Sequence, residues 1–174
     1  MELKSYQQQV ITDLELFLEY LQKYPKPATA FKHYWEDKVG PYELKLDGTY
    51  SGMGPYKDNI LKTPHIAIKV PTAGGKTFIA CNAIHSIFST YDSSRPKAVV
   101  WLVPWSNLLQ QTASSLSDSS HPYRQKLNTL FNHSVEVYEK ESLLQGANFN
   151  PTSVSEQLNI FVFNFKILHC HFTF

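Results

Sequence analysis

The residues best suited to chemistry lie near the middle of the 174-residue chain, in the run Pro71-Thr72-Ala73-Gly74-Gly75-Lys76-Thr77. Two adjacent glycines let a backbone bend tightly enough for successive N–H groups to point into one concavity and hold phosphate oxygens. A helix starting near Lys76 would aim its free N–H groups and the positive end of its dipole at the same place. Lys76 would then reach the β- and γ-phosphates of a nucleotide as a point charge, and the Thr77 hydroxyl would ligate Mg²⁺. The full pattern of such a loop puts glycine at position 70, where this chain has Val70. What separates a phosphate-binding loop from an ordinary turn is its setting, a strand before it and a helix after it.

The flanking sequence supplies that setting. Ile66–Val70 reads as a mostly buried strand, and Phe78 to Phe88 as a helix with Ile79, Ala83, Ile84 and Ile87 on one face. Upstream, Val10, Leu14, Phe17, Leu18 and Leu21 recur at three- and four-residue steps, which predicts a helix from Ser5 to Tyr24 that Pro25 and Pro27 end. Residues 25–64 are punctuated by Pro, Gly and Tyr and read as a long irregular insertion. Its Phe31, Tyr34, Trp35, Tyr42 and Tyr50 are expected to pack down onto the domain. Beyond the loop, Ala98–Val103 reads as a second buried strand stopped by Pro104, with Ser106 as N-cap of a following helix. Ser114–Ser120 reads as a loop, Tyr123–Phe131 as a helix, and Ser134–Tyr138 and Asn159–Phe163 as further strands. Short apolar strands alternating with helices predict an α/β domain with a mainly parallel sheet.

Bulk composition narrows the partners. Hydrophobic residues make up 43% and charged residues 18%, which places the chain among folded globular proteins. The net charge of +1 gives no bulk attraction for nucleic acid, so any contact with it must be a local patch. Two cysteines, Cys81 and Cys170, are too few and too far apart for a disulfide framework or a zinc site. No signal peptide is visible at the start, and no apolar run approaches the ~18 residues of a membrane span, so a reduced, cytoplasmic setting is expected.

Several pieces stand in the order and spacing of one family. The sequence resembles the N-terminal RecA-like lobe of superfamily 2 helicases and translocases, and within these the Res subunit of type III restriction endonucleases. Leu3-Lys4-Ser5-Tyr6-Gln7 is similar to the LRxYQ-type start of that lobe, where the glutamine reads the adenine. The stretch Pro64 to Thr72 leading into the glycines resembles its motif I, with Ala73 where a glycine is usual and a minor effect expected from the extra methyl. Val99–Pro104 followed by Gln111-Thr112 resembles motif Ia, and Ile160–Phe165 resembles the strand and turn of the next motif.

The resemblance implies a three-layer RecA-like P-loop domain over residues 1–174, incomplete, with the insertion at 25–64. It implies ATP and Mg²⁺ as cofactors, held by Gln7, Pro71, Thr72, Ala73, Gly74, Gly75, Lys76, Thr77 and Phe78. Lys76 and Thr77 take the catalytic roles, and Thr77 is the metal ligand. Pro104, Trp105, Ser106 and Asn164 are implied on the nucleic-acid path, where hydroxyls and helix N-termini suit sequence-independent backbone contact. DNA is the implied macromolecular partner, with a modification methyltransferase subunit beside it.

One family element has no counterpart. The Asp-Glu pair of Walker B, which holds Mg²⁺ and orients water, is missing, and no Asp occurs after Asp118. The second lobe is missing too, and Lys166–Phe174 lacks the helix expected there, so the chain is expected to be the beginning of a longer helicase-like protein. Alone, it should bind nucleotide weakly and hydrolyse it negligibly.

Other candidates are weaker. His169-Cys170-His171 would point alternately to opposite faces of a strand, a poor arrangement for a metal. His65 suits a turn, Cys81 a buried inert position, and Asn132-His133-Ser134 a chance glycosylation sequon. Phe31–Trp35 could stack on bases, although packing explains them better. Two rival functions remain: a P-loop phosphotransferase, against which stands the presence of only Arg95 and Arg124, and a non-catalytic nucleotide-binding module.

Overall fold

The computed structural model of the chain describes residues 1–91, 97–140, 143 and 156–165. Its first helix, α1 (Ser5–Lys23), buries Gln7, Ile11, Leu14, Phe17, Leu18 and Leu21, one stripe at three- and four-residue spacing. Burial of each of the five large apolar side chains among them contributes roughly 1.5–3 kcal/mol. The helix ends as the sequence predicts. Tyr24, the residue before Pro25, is extended at φ −125° and ψ 95°, because a following proline ring disfavours helical backbone.

The stretch 25–64 differs from its expected irregular form in its first third. Residues Pro27–Val39 form α2, with Pro27 in the first turn, where its missing N–H costs nothing, and Gly40 closing the helix at φ 87°. Ala30 and Tyr34 lock α2 onto α1, and the Phe17 and Tyr34 rings meet edge to face at 5.4 Å. Phe31 and Trp35 pack against this cluster as expected. Beyond Gly40, β1 (Glu43–Leu44) and β2 (Tyr50–Ser51) make a short antiparallel hairpin. Tyr42 and Tyr50 do not pack down onto the domain. They stack on each other at 4.8 Å and remain 46% and 59% exposed.

The main sheet contains β3 (Ala98–Val103), β4 (Val135–Tyr138) and β5 (Leu158–Asn164) in the order β3-β5-β4, all parallel. Leu158, Ile160 and Val162 alternate along β5 and therefore share one face. That face meets Cys81 and Ile84 of α3 (Lys76–Ser86), Leu116 of α4 (Ser106–Ser117) and Leu127 of α5 (Pro122–Leu130), which together form the largest buried cluster. A π-helical turn, Ile87–Tyr91, prolongs α3 and packs against α1. The α/β class and the parallel sheet are as the alternation of elements predicts.

Three local expectations need correction. Ile66–Val70 is not a strand: Ile66 and Ile68 are 45% and 42% exposed, and only Val70 is buried. An apolar alternation becomes a strand only where a neighbour pairs its backbone, and none of the described strands lies beside this segment. Ser106 is the first helical residue of α4, while Trp105, extended at φ −131°, takes the N-cap position. The serine run also continues the helix to Ser117, because Leu116 is fully buried and draws its turn into the core. Among the described residues no helix is long and apolar enough to cross a membrane, and no group of three or more His, Cys, Asp or Glu is placed to hold a metal. Arg95 and the His169-Cys170-His171 run lie outside the described residues.

Candidate phosphate-binding site

The glycine loop begins where Val70 enters the small core shared by Ile11 of α1 and Ile79 of α3. The Gly74 N–H donates to the Pro71 carbonyl at 3.0 Å and closes the turn. Glycine suits both loop positions, for different reasons. A Cβ on Gly74 would stand 2.5 Å from Val70 Cγ1 and 2.9 Å from Pro71 O. Gly75 has φ 71° and ψ 37°, left-handed backbone, and a Cβ there would stand 2.5 Å from Gln7 Nε2. Ala73 is left-handed as well, at φ 60°. The cost of its methyl therefore comes from backbone strain of roughly 1–2 kcal/mol rather than from bulk.

Helix α3 starts at Lys76, with Gly75 as its N-cap, so its first N–H groups open onto the loop. The Lys76 side chain is exposed, and its ammonium donates to the Pro71 carbonyl at 2.8 Å. Thr77 is half-buried, and its hydroxyl has no hydrogen-bond partner among the described residues, which leaves its lone pairs available to a cation. Pro71, Thr72 and Ala73 are exposed along the outside of the turn. Phe78 is different. Its side chain is 2% exposed and stacks on Tyr123 at 6.2 Å, so only its backbone N–H can serve a ligand.

Gln7 lies against this loop. Its Nε2 donates to the Gly74 carbonyl at 3.1 Å, and its Oε1 accepts from the Lys4 N–H at 2.9 Å. The side chain is only 5% exposed, on the same stripe of α1 as Ile11 and Leu14. A glutamine on an apolar stripe must find polar partners, and the loop carbonyl is one of them. Sequence reasoning passed over Tyr6, whose hydroxyl donates to the same Gly74 carbonyl at 2.8 Å. Its place beside Gln7, at the start of a helix and off that stripe, is the signal that could have found it.

The other expected site residues gather at the carboxyl ends of two strands. Pro104 and Trp105 follow β3 directly, Trp105 is 64% exposed, and Ser106 opens α4. Asn164 ends β5 and donates through Nδ2 to the Ser106 hydroxyl at 3.4 Å, so two residues far apart in sequence meet. Crevices at the carboxyl ends of parallel strands are where α/β sheets usually hold ligands.

Two further groups play a different part. Cys81, on α3, is fully buried as expected, and burial pushes its thiol up to about 12. Arg124 donates to Asn128 Oδ1 at 2.9 Å, to the Leu116 carbonyl at 3.2 Å and to the Val135 carbonyl at 2.6 Å. It braces α4, α5 and β4 together.

Compared with known families, residues 1–170 match the profile of the family described as type III restriction enzyme, res subunit. No curated protein and no solved structure matches the chain.

Proposed function

The chain belongs to the family of type III restriction enzyme res subunits, and from that premise we propose that it is the ATP-binding lobe of a DNA helicase or translocase of a restriction system. The family makes it a helicase-like ATP-binding domain with a RecA-like P-loop fold. Of the setting such a loop needs, the helix after it is in place while residues 66–70 pair with no described strand, so the finer reading is carried by the loop and the start of α3. Two glycines, one closely packed and one in left-handed backbone, lead into the N-terminus of α3, with Lys76 exposed at its mouth and the Thr77 hydroxyl unengaged by the described protein.

These residues fit a nucleotide and its magnesium ion. The N–H groups at the start of α3 and the Lys76 ammonium would hold the phosphates, and the Thr77 hydroxyl would ligate Mg²⁺. The metal neutralises phosphate charge when bound. Lys76 must exchange its Pro71 carbonyl for a phosphate oxygen, and the charged partner is the stronger acceptor. Pro104, Trp105, Ser106 and Asn164 form the proposed nucleic-acid path, with contacts to the sugar-phosphate backbone. A modification methyltransferase is the proposed protein partner.

Hydrolysis needs charge neutralisation and an oriented water on the far side of the γ-phosphate. No Asp is followed directly by Glu in the 174 residues and no Asp occurs after Asp118, so this chain by itself is proposed to hold ATP without turning it over. A phosphotransferase reading is disfavoured because Arg124 is spent on the brace between helices.

Titration of a fluorescent ATP analogue tests the reading. The wild-type chain should bind it, and Lys76→Ala should weaken binding by about tenfold or more, since it removes a charge-assisted hydrogen bond. Duplex DNA should alter the wild-type affinity, and phosphate release should stay at background. Equal binding by Lys76→Ala, or robust turnover that this variant abolishes, would refute the proposal.

A further inference from the structure

We infer that Tyr6 is a positioning residue of the phosphate cradle: its hydroxyl, together with the Gln7 amide, holds the Gly74–Gly75 peptide in the orientation that presents the Gly75 N–H to a phosphate. The inference rests on the phosphate-binding reading above and adds a residue to it. Two donors from neighbouring positions of α1 converge on one acceptor, Tyr6 Oη at 2.8 Å and Gln7 Nε2 at 3.1 Å from the Gly74 carbonyl oxygen. A carbonyl oxygen has two lone pairs, so this one is saturated.

The consequence follows from peptide geometry. The bond is planar and trans, as are all those described, so the C=O of Gly74 and the N–H of Gly75 point in opposite directions. Holding the oxygen against α1 therefore turns the N–H away from α1. That N–H has no acceptor among the described residues, and it precedes the open N–H groups at the start of α3. The hold is needed because glycine on both sides of this peptide leaves its plane free to rotate. Gly75 stands at φ 71°, a conformation that glycine leaves as readily as it enters.

Tyr6 is well placed for this alone. The residue is 44% exposed and belongs to none of the buried clusters, and it meets the loop through a polar contact. The two donors also differ in consequence. Gln7 is buried and tied to Lys4 as well, so its loss disturbs the start of α1, whereas Tyr6→Phe removes one hydroxyl and keeps the ring.

Calorimetric titration of the full chain with ATP, GTP and inorganic tripolyphosphate provides the test, with Tyr6→Phe and Lys76→Ala beside the wild type. Tyr6→Phe should weaken all three ligands by the same factor, roughly threefold to tenfold, because the freed peptide must be re-oriented on binding, and should lower the melting temperature of the ligand-free chain by no more than one hydrogen bond accounts for. Equal affinities for wild type and Tyr6→Phe, with or without a lower melting temperature, would overturn the inference and leave the phosphate site standing. A loss confined to ATP and GTP would place the hydroxyl on the base or sugar and also overturn it. Wild type binding none of the three, or no more tightly than Lys76→Ala, would remove the site and the inference together.

Discussion

Ala73 and Gly75 both hold left-handed backbone, at φ 60° and 71°, one on each side of Gly74. Gly75 does so without strain, while Ala73 brings its Cβ close to the following carbonyl oxygen. Ala73→Gly should therefore stabilise the folded chain by up to about 1 kcal/mol, the relief being partly offset by the larger entropy that glycine gives the unfolded chain. Urea unfolding of the two proteins measures the difference. A destabilised Ala73→Gly would mean that the methyl makes a contact worth more than the strain.

The second prediction concerns alkaline pH. Cys81 is held protonated by burial, its thiol pushed up from 9.0 to about 12. A folded-state value above the unfolded one means that the native chain binds this proton more tightly. The contribution is complete below the unfolded value of 9.0 and is lost as pH rises towards 12. In a Cys170→Ser background, Cys81 should resist maleimide in the native state, and stability should fall through that window by at most about 1.4 kcal/mol per pH unit. Cys81→Ala should flatten the slope. An unchanged slope would assign the alkaline loss to other groups.

Much of this architecture is legible in the sequence, for identifiable reasons. The stripe Leu14, Phe17, Leu18 and Leu21 announces α1, and the run Ala98–Val103 ending at Pro104 announces β3, since both patterns are local. The segment Pro27–Val39 was not legible because a proline reads first as a breaker, and only its place in the first turn turns it into a start signal. Ile66–Val70 carries a strand pattern without a described neighbour to pair with, and pairing is a property of the fold. The loop stood out through its glycines, whereas Tyr6 acts through a contact with a residue 68 positions away. No local pattern encodes that.

A third prediction separates packing from binding. The Arg124 guanidinium serves two backbone carbonyls and one side chain that join α4, α5 and β4. Arg124→Met should cost about 2 kcal/mol of stability, because the carbonyls lose a charged donor, while nucleotide affinity stays unchanged. Paired urea and nucleotide titrations check both halves. A loss of affinity at full stability would restore Arg124 as a functional arginine.

The strand order also has a consequence during synthesis. Among the described residues β5 is the last strand in the sequence and the central one in the sheet, with β3 and β4 on its two sides. Neither flanking strand has its described partner until residues 158–164 have left the ribosome, whereas α1 and α2 can meet long before. At about 5–20 residues per second, the interval between β3 and β5 is several seconds. Through it, Val99, Val100, Trp101 and Leu102 form an unpaired apolar edge. A nascent chain stalled before β5 is expected to be the aggregation-prone species of this protein, and a chaperone that covers β3 the factor that rescues it.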